Sequence, residues 1–194
     1  MYDDNTRFRS RIEMGPRRFG EGEYKYFAYP LPPVVRALRQ GLYPPLARIA
    51  NAWMRLLRRP ERYPPRLAAY LARCHRAGQT RPTPLLLRYE TGGYNCLHQD
   101  LYGSLAFPLQ ATVLLGRPGE DFTGGDFLLV EQRPRAQSRG EAIALERGAL
   151  LLFPNRERPL RGARGWSRAA VRHGVATVTG GVRHTLGVIF HDAR

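Results

Sequence analysis

A chain of 194 residues, 43% of them hydrophobic and 10% aromatic, is long enough to bury a core and too apolar to be a disordered segment. Its 31 basic against 16 acidic residues leave a net charge of +15, which disfavours a basic partner and favours a polyanion, with nucleic acid the commonest. No run approaches the roughly 18 apolar residues of a spanning helix, and Met1-Tyr2-Asp3-Asp4-Asn5 has no apolar segment behind it, so the expectation is a cytoplasmic protein with no secretory signal and no membrane contact.

Residues 1–30 are polar and aromatic, with Tyr24, Tyr26, Phe27 and Tyr29, and read as an arm packing on the body. Pro32-Pro33 opens a helically spaced segment through Val34, Val35 and Leu38. Pro44-Pro45 opens a second, with Leu46, Ile49, Ala50, Trp53, Leu56 and Leu57 on one stripe. Pro64-Pro65 opens a third, through Leu67, Tyr70, Leu71 and Cys74, stopped by Gly78. Cys74 and Cys96 have no CxxC or zinc-like spacing and read as reduced, inert thiols.

From residue 83 short apolar runs alternate with glycine, proline and charged turns. The candidate strands are 85–90, 96–101, 107–115, 126–132, 141–145, 149–153, 168–178 and 183–191. They show no βαβ rhythm, which argues against a doubly wound parallel sheet. The fold expected is α+β, mainly β: one domain over 1–194, with an arm and buttressing helices in 1–82 and a jelly-roll core in 83–194.

Within Leu97-His98-Gln99-Asp100-Leu101 a histidine and an aspartate stand two apart on an expected strand, where they share a face. Two histidines and one carboxylate on one face of an octahedron form the facial triad of non-haem iron(II) oxygenases. The second histidine could be His173, His184 or His191. His173 is favoured because it lies mid-strand with Arg183 ten residues on. A hairpin through Thr179-Gly180-Gly181 would set that arginine beside the metal. His184 has only Arg194, at the chain end and expected to fray. A buried carboxylate needs a paired cation, and arginine's fork fits one.

His98, Asp100, His173 and Arg183 resemble the iron and cosubstrate motif of the 2-oxoglutarate/iron(II) dioxygenases, which implies the double-stranded β-helix fold. The stretch from Tyr89 to Asp100 resembles both prolyl hydroxylases and AlkB-type demethylases. In both a tyrosine nine residues before the first ligand helps bind 2-oxoglutarate, a role the resemblance gives to Tyr89. AlkB-type chains usually carry asparagine where this one has Leu87, and the ten-residue interval to the cation is that of the prolyl hydroxylases, where the cation is usually lysine. A larger part of the chain, over most of residues 20–193, resembles a bacterial family of oxygenases with expected nucleic-acid substrates. The matching pieces include His98-Gln99-Asp100-Leu101-Tyr102-Gly103, Phe107-Pro108-Leu109-Gln110, Arg172-His173-Gly174-Val175 and Ile189-Phe190-His191-Asp192.

The resemblance implies Fe(II), 2-oxoglutarate and O2, with ascorbate as a stimulant, and hydroxylation or demethylation with release of succinate and CO2. Arg133, Arg135 and Arg139 in one arginine-rich segment, and Arg161 and Arg164 beside Trp166 in another, are the expected contacts to a single strand or flipped base. The competing readings are a peptide hydroxylase of prolyl-hydroxylase type and a non-catalytic nucleic-acid-binding module.

Overall fold

The computed structural model describes residues 2–163 and 165–194. Among the described residues the N-terminal segment forms β1 (Phe8–Glu13), β2 (Gly20–Glu21) and β3 (Glu23–Phe27). Two helices follow, α1 (Pro33–Leu56) and α2 (Leu67–Arg76). The remainder forms β4 (Leu85–Glu90), β5 (Tyr94–His98), β6 (Leu109–Leu114), β7 (Phe122–Gly124), β8 (Phe127–Gln132), β9 (Arg139–Ile143), β10 (Leu150–Pro154), β11 (Glu157–Gly162), β12 (Gly165–Val175) and β13 (Val178–Val188).

These strands build two antiparallel sheets. One runs β1-β3-β4-β13-β6-β10, with β7 paired to the start of β13; the other runs β2-β5-β12-β8-β9, with β11 paired to the start of β12. Period-two alternation decides what each face of the larger sheet carries. On β13 Arg183, Thr185 and Gly187 line the space between the sheets, while Leu186 and Val188 join the outer core. That core packs Phe27, Leu86, Leu109 and Ala111 against Tyr43, Leu46, Ala50 and Tyr70 of the helices. The helices therefore buttress one sheet of a jelly roll and leave the inter-sheet space free for chemistry. No helix is long and apolar enough to cross a membrane among the described residues.

The structure departs from the sequence expectations, or adds to them, in four places. Residues 33–56 form one helix with Pro44 and Pro45 inside it, not two. Each proline removes one helical hydrogen bond, but the buried stripe Val35, Arg39, Tyr43, Leu46, Ala47, Ala50 and Met54 runs unbroken through the pair and holds the turn by packing. The N-terminal arm is sheet: β1 pairs with β3 and β3 with β4. The arginine-rich stretch after Asn155 is strand β11, paired with β12 from Glu157↔Ala170 to Gly162↔Gly165. The C-terminal end does not fray. Arg81 and Ala193 exchange backbone hydrogen bonds, and buried Arg39 donates to Asp192 Oδ1 at 2.8 Å and to the Ile189 carbonyl at 2.9 Å.

His191, fully buried, is part of this anchor. Its Nδ1 accepts from the Phe107 N–H at 3.2 Å, and its Nε2 has no protein partner among the described residues. Burial pushes its pKa down to about 4 from an ordinary 6.5. Between those values the unfolded chain takes up a proton that the folded chain refuses. Its contribution is fully present above pH 6.5 and is lost as the pH falls toward 4. The full effect is on the order of 3 kcal/mol. His191→Asn keeps an acceptor for the Phe107 N–H, and its Tm should fall less steeply than the wild type's between neutral pH and about 4. Parallel Tm curves for the two proteins would refute the assignment.

Candidate metal centre

Strand register brings the two imidazoles together. β5 and β12 run antiparallel with His98 directly opposite His173, and the ring centroids lie 4.3 Å apart. His98 Nδ1–H donates to the Cys96 carbonyl at 2.7 Å. A carbonyl can only accept, so this bond fixes the tautomer and leaves the Nε2 lone pair free for a metal. Burial, with His173 adding to it and Asp100 opposing, pushes the His98 pKa down, which keeps the imidazole in its ligating form.

Asp100 arrives by another route than the expected shared strand face. β5 ends at His98, and the position of Asp100 is set by Asn155, which is 1% exposed. Asn155 Oδ1 accepts from the Asp100 N–H at 2.9 Å, and its Nδ2 donates to the Asp100 carbonyl at 2.7 Å. Gln99 Nε2 reinforces the turn by donating to the carbonyls of Arg156 at 3.0 Å and Val171 at 2.7 Å. The carboxylate then sits with Oδ2 3.3 Å from His173 Nε2 and Oδ1 3.6 Å from His98 Nε2. Tyr102 donates its hydroxyl to Oδ1 at 2.5 Å. Burial alone would raise this carboxyl's pKa, but His173, His98 and Tyr102 hold it well below the usual range.

One ligand atom from each of His98, Asp100 and His173 lies within 4.8 Å of the others. Two ligands at right angles around a small divalent ion stand about 3 Å apart. Two imidazoles and one carboxylate at these separations, with an open cavity in front, suit a transition metal with coordination positions to spare.

The triad lines a cavity of about 370 Å³ between the sheets. Arg183 lines it too, opposite Tyr89 in the β13–β4 register. The guanidinium is 2% exposed, and its Nε and Nη1 have no hydrogen-bond partner among the described residues. Burial lowers its pKa, yet guanidinium stays charged in proteins. A cation buried this way calls for an anion from outside the chain. Gly125 makes the space: it has φ +68°, and a Cβ there would stand 2.7 Å from Arg183 Cδ. Tyr89 is fully buried, and its hydroxyl accepts from Asn95 Nδ2 at 3.1 Å.

The expected hairpin between His173 and Arg183 is not how the two meet. The chain turns at Ala176 and Thr177, and β13 enters the opposite sheet from β12. His173 and Arg183 thus face one cavity from opposite walls. His184 points the other way and packs edge-to-face on Tyr2 at 5.3 Å. Arg133 is engaged by Glu131 at 2.7 Å and Arg139 by Glu141 at 2.8 Å. Arg135 and Arg161 are exposed, and none of these four lines the cavity. Arg164 lies outside the described residues. The cavity wall instead includes Arg18, Phe19, Tyr24 and Tyr26. Sequence reasoning gave no role to Asn155, Tyr102 or Gln110; Gln110 Nε2 is 3.2 Å from His173 Nε2.

A family model described as "Oxygenase, catalysing oxidative methylation of damaged DNA" matches residues 22–193. Uncharacterized protein Rv2227 of Mycobacterium tuberculosis is 53% identical over 167 residues, covering 86% of this chain and 72% of its own length. Among solved structures, a Pseudomonas putida prolyl-4-hydroxylase matches at 14% identity and TM-score 0.45, over 95% of this chain and 78% of that one. An oxidoreductase of the 2OG-Fe(II) oxygenase family from Burkholderia pseudomallei matches at 19% identity and TM-score 0.41, over 58% of this chain and 44% of that one.

Proposed function

The chain belongs to the oxygenase family described as catalysing oxidative methylation of damaged DNA, and from that premise we propose that it is an iron(II)- and 2-oxoglutarate-dependent dioxygenase that hydroxylates or demethylates nucleic acid. The observation that carries this reading is the shared cavity: a His98–Asp100–His173 cluster and, on the facing wall, a buried guanidinium with two nitrogens that have no partner among the described residues.

In this reading His98 and His173 offer Nε2 and Asp100 offers one carboxylate oxygen to the metal, while Tyr102 holds the other oxygen. Iron(II) held there with 2-oxoglutarate would activate O2, the oxidant, so that one oxygen atom enters a substrate C–H bond and the other enters the succinate released with CO2. Arg183 pairs with the far carboxylate of the diacid through its free nitrogens, a fork that suits a carboxylate. Tyr89 Oη, already accepting from Asn95, has its own proton to donate to the same ligand. Leu85, Leu87, Phe127 and Phe153 make the wall apolar, which strengthens these ionic contacts by excluding water. The chain acts as one domain, in the cytoplasm, on a single-stranded or flipped base. The net charge of +15 favours such a partner.

Succinate should form from 2-oxoglutarate with iron(II), O2 and ascorbate, more quickly with methylated single-stranded oligonucleotides than without. His98→Ala should abolish it. Steeply salt-dependent oligonucleotide binding is expected of phosphate contacts. Salt-independent binding together with turnover of a peptide would sink the nucleic-acid part of the reading.

A further inference from the structure

A second cavity, of about 320 Å³, shares no lining residue with the first. The two lie back to back across one loop. Asp100 and Tyr102 line the metal cavity, whereas Leu101, Ser104, Leu105 and Ala106 line the second. We infer that this second cavity binds a phosphate-bearing nucleotide unit, with the base on Tyr63 and the phosphate on its arginines. The inference rests on the nucleic-acid reading above but needs no metal.

Three features carry it. The aromatic residues Tyr63, Tyr70 and Phe107 form a packed cluster, with ring centroids 5.0 to 5.7 Å apart. Tyr70 and Phe107 belong to the core, so half-buried Tyr63, backed by them, is the ring that a base can reach, and base faces stack on such a ring without regard to sequence. Tyr70 is only 3% exposed, yet its hydroxyl has no hydrogen-bond partner among the described residues. A buried hydroxyl left without a partner is costly, and a ligand entering this cavity would supply an acceptor.

The arginines supply the charge. Arg59 is engaged by Glu157 at 2.7 Å. Arg62, Arg73 and Arg156 also line the cavity, and among the described residues none of them has a carboxylate within 4.0 Å. Arg73 Nη1 donates to the Arg62 carbonyl at 2.7 Å, and Arg62 Nη1 to the Arg59 carbonyl at 2.8 Å. These bonds restrain two of the guanidinium groups while leaving most of their five N–H donors free. Guanidinium forks match phosphate oxygens, and the volume falls within the range of small-molecule sites.

The test is calorimetric titration of the metal-free protein with thymidine, thymidine 5′-monophosphate and a six-residue oligothymidylate. The monophosphate should bind about tenfold more tightly than the nucleoside. Arg156 is exposed and its side chain makes no hydrogen bond among the described residues, so Arg156→Ala leaves the fold alone. It should weaken monophosphate binding about tenfold and lower the salt slope of the oligonucleotide by about one. Tyr70→Phe should weaken binding severalfold with a Tm that does not fall, since the hydroxyl it removes is buried without a partner among the described residues. An oligonucleotide that binds more tightly than the monophosphate assigns the site to a strand; equal affinities assign it to a free nucleotide. Unaltered monophosphate affinity in both variants overturns the inference, and unchanged oligonucleotide-stimulated succinate release beside it leaves the metal-centre reading standing. Weakened binding in the variants with no oligonucleotide oxidation in the wild type supports this site and counts against that reading.

Discussion

Asp100→Ala is expected to bind cobalt(II), a redox-stable probe for the iron site, about three orders of magnitude more weakly than the wild type, and to release no succinate. The magnitude follows from sharing a metal-binding free energy on the order of 10 kcal/mol among three protein ligands, so that losing one costs roughly 3–4 kcal/mol. The fold should survive, because Asn155 clamps the main chain of Asp100 and not its carboxylate. Tyr102 loses an acceptor, a cost of about 1 kcal/mol, while a buried carboxylate is removed at the same time. A folded protein of near-wild-type Tm without cobalt affinity is therefore the expected pair of results. Wild-type cobalt affinity in Asp100→Ala would remove the carboxylate from the metal centre.

The contrast between Asp100 and His173 shows what the sequence could and could not carry. His98 and His173 sit on strands that short apolar runs mark in the sequence, and the register places them opposite each other. Asp100 lies past the last residue of its strand, where no period applies. Its partner Asn155 is 55 residues away and marks itself only as a polar residue ending the run Leu151-Leu152-Phe153-Pro154. Strand β4 was legible because prolines and glycines bound its apolar run on either side. β3 was hidden because its alternate residues, Glu23 and Lys25, are charged yet buried. Arg11 and Tyr2 satisfy Glu23, and Asn5 with the Tyr2 carbonyl satisfies Lys25. The helix through Pro44-Pro45 misled in the opposite sense: two local breakers were outweighed by a stripe of buried side chains that only tertiary packing rewards. For Arg183 the interval was informative while the geometry attached to it was wrong. Ten residues join opposite walls of a cavity through a sheet-switching turn, not neighbouring strands through a hairpin.

Arg183→Leu should separate stability from function. In the metal- and ligand-free protein the guanidinium is a buried charge whose Nε and Nη1 have no partner among the described residues, and Asp126 is a carboxylate that acts on it at a distance. Replacing even a paired set of buried charges by apolar side chains is often neutral or stabilising by about 1–4 kcal/mol, and here no counter-ion is bonded to the charge among the described residues, so the Tm of the unliganded variant should rise by several degrees. The same change removes the cation for the cosubstrate's far carboxylate. Truncating one member of a buried charge pair costs roughly 2–5 kcal/mol, so the KM for 2-oxoglutarate should increase by about two orders of magnitude. Thermal protection by the diacid, clear in the wild type, should disappear. Arg183→Lys should recover part of the affinity, since the charge remains while the fork is lost. A leucine variant that is less stable without ligand and still protected by 2-oxoglutarate would mean that the nitrogens find partners within the chain, and that the diacid binds elsewhere.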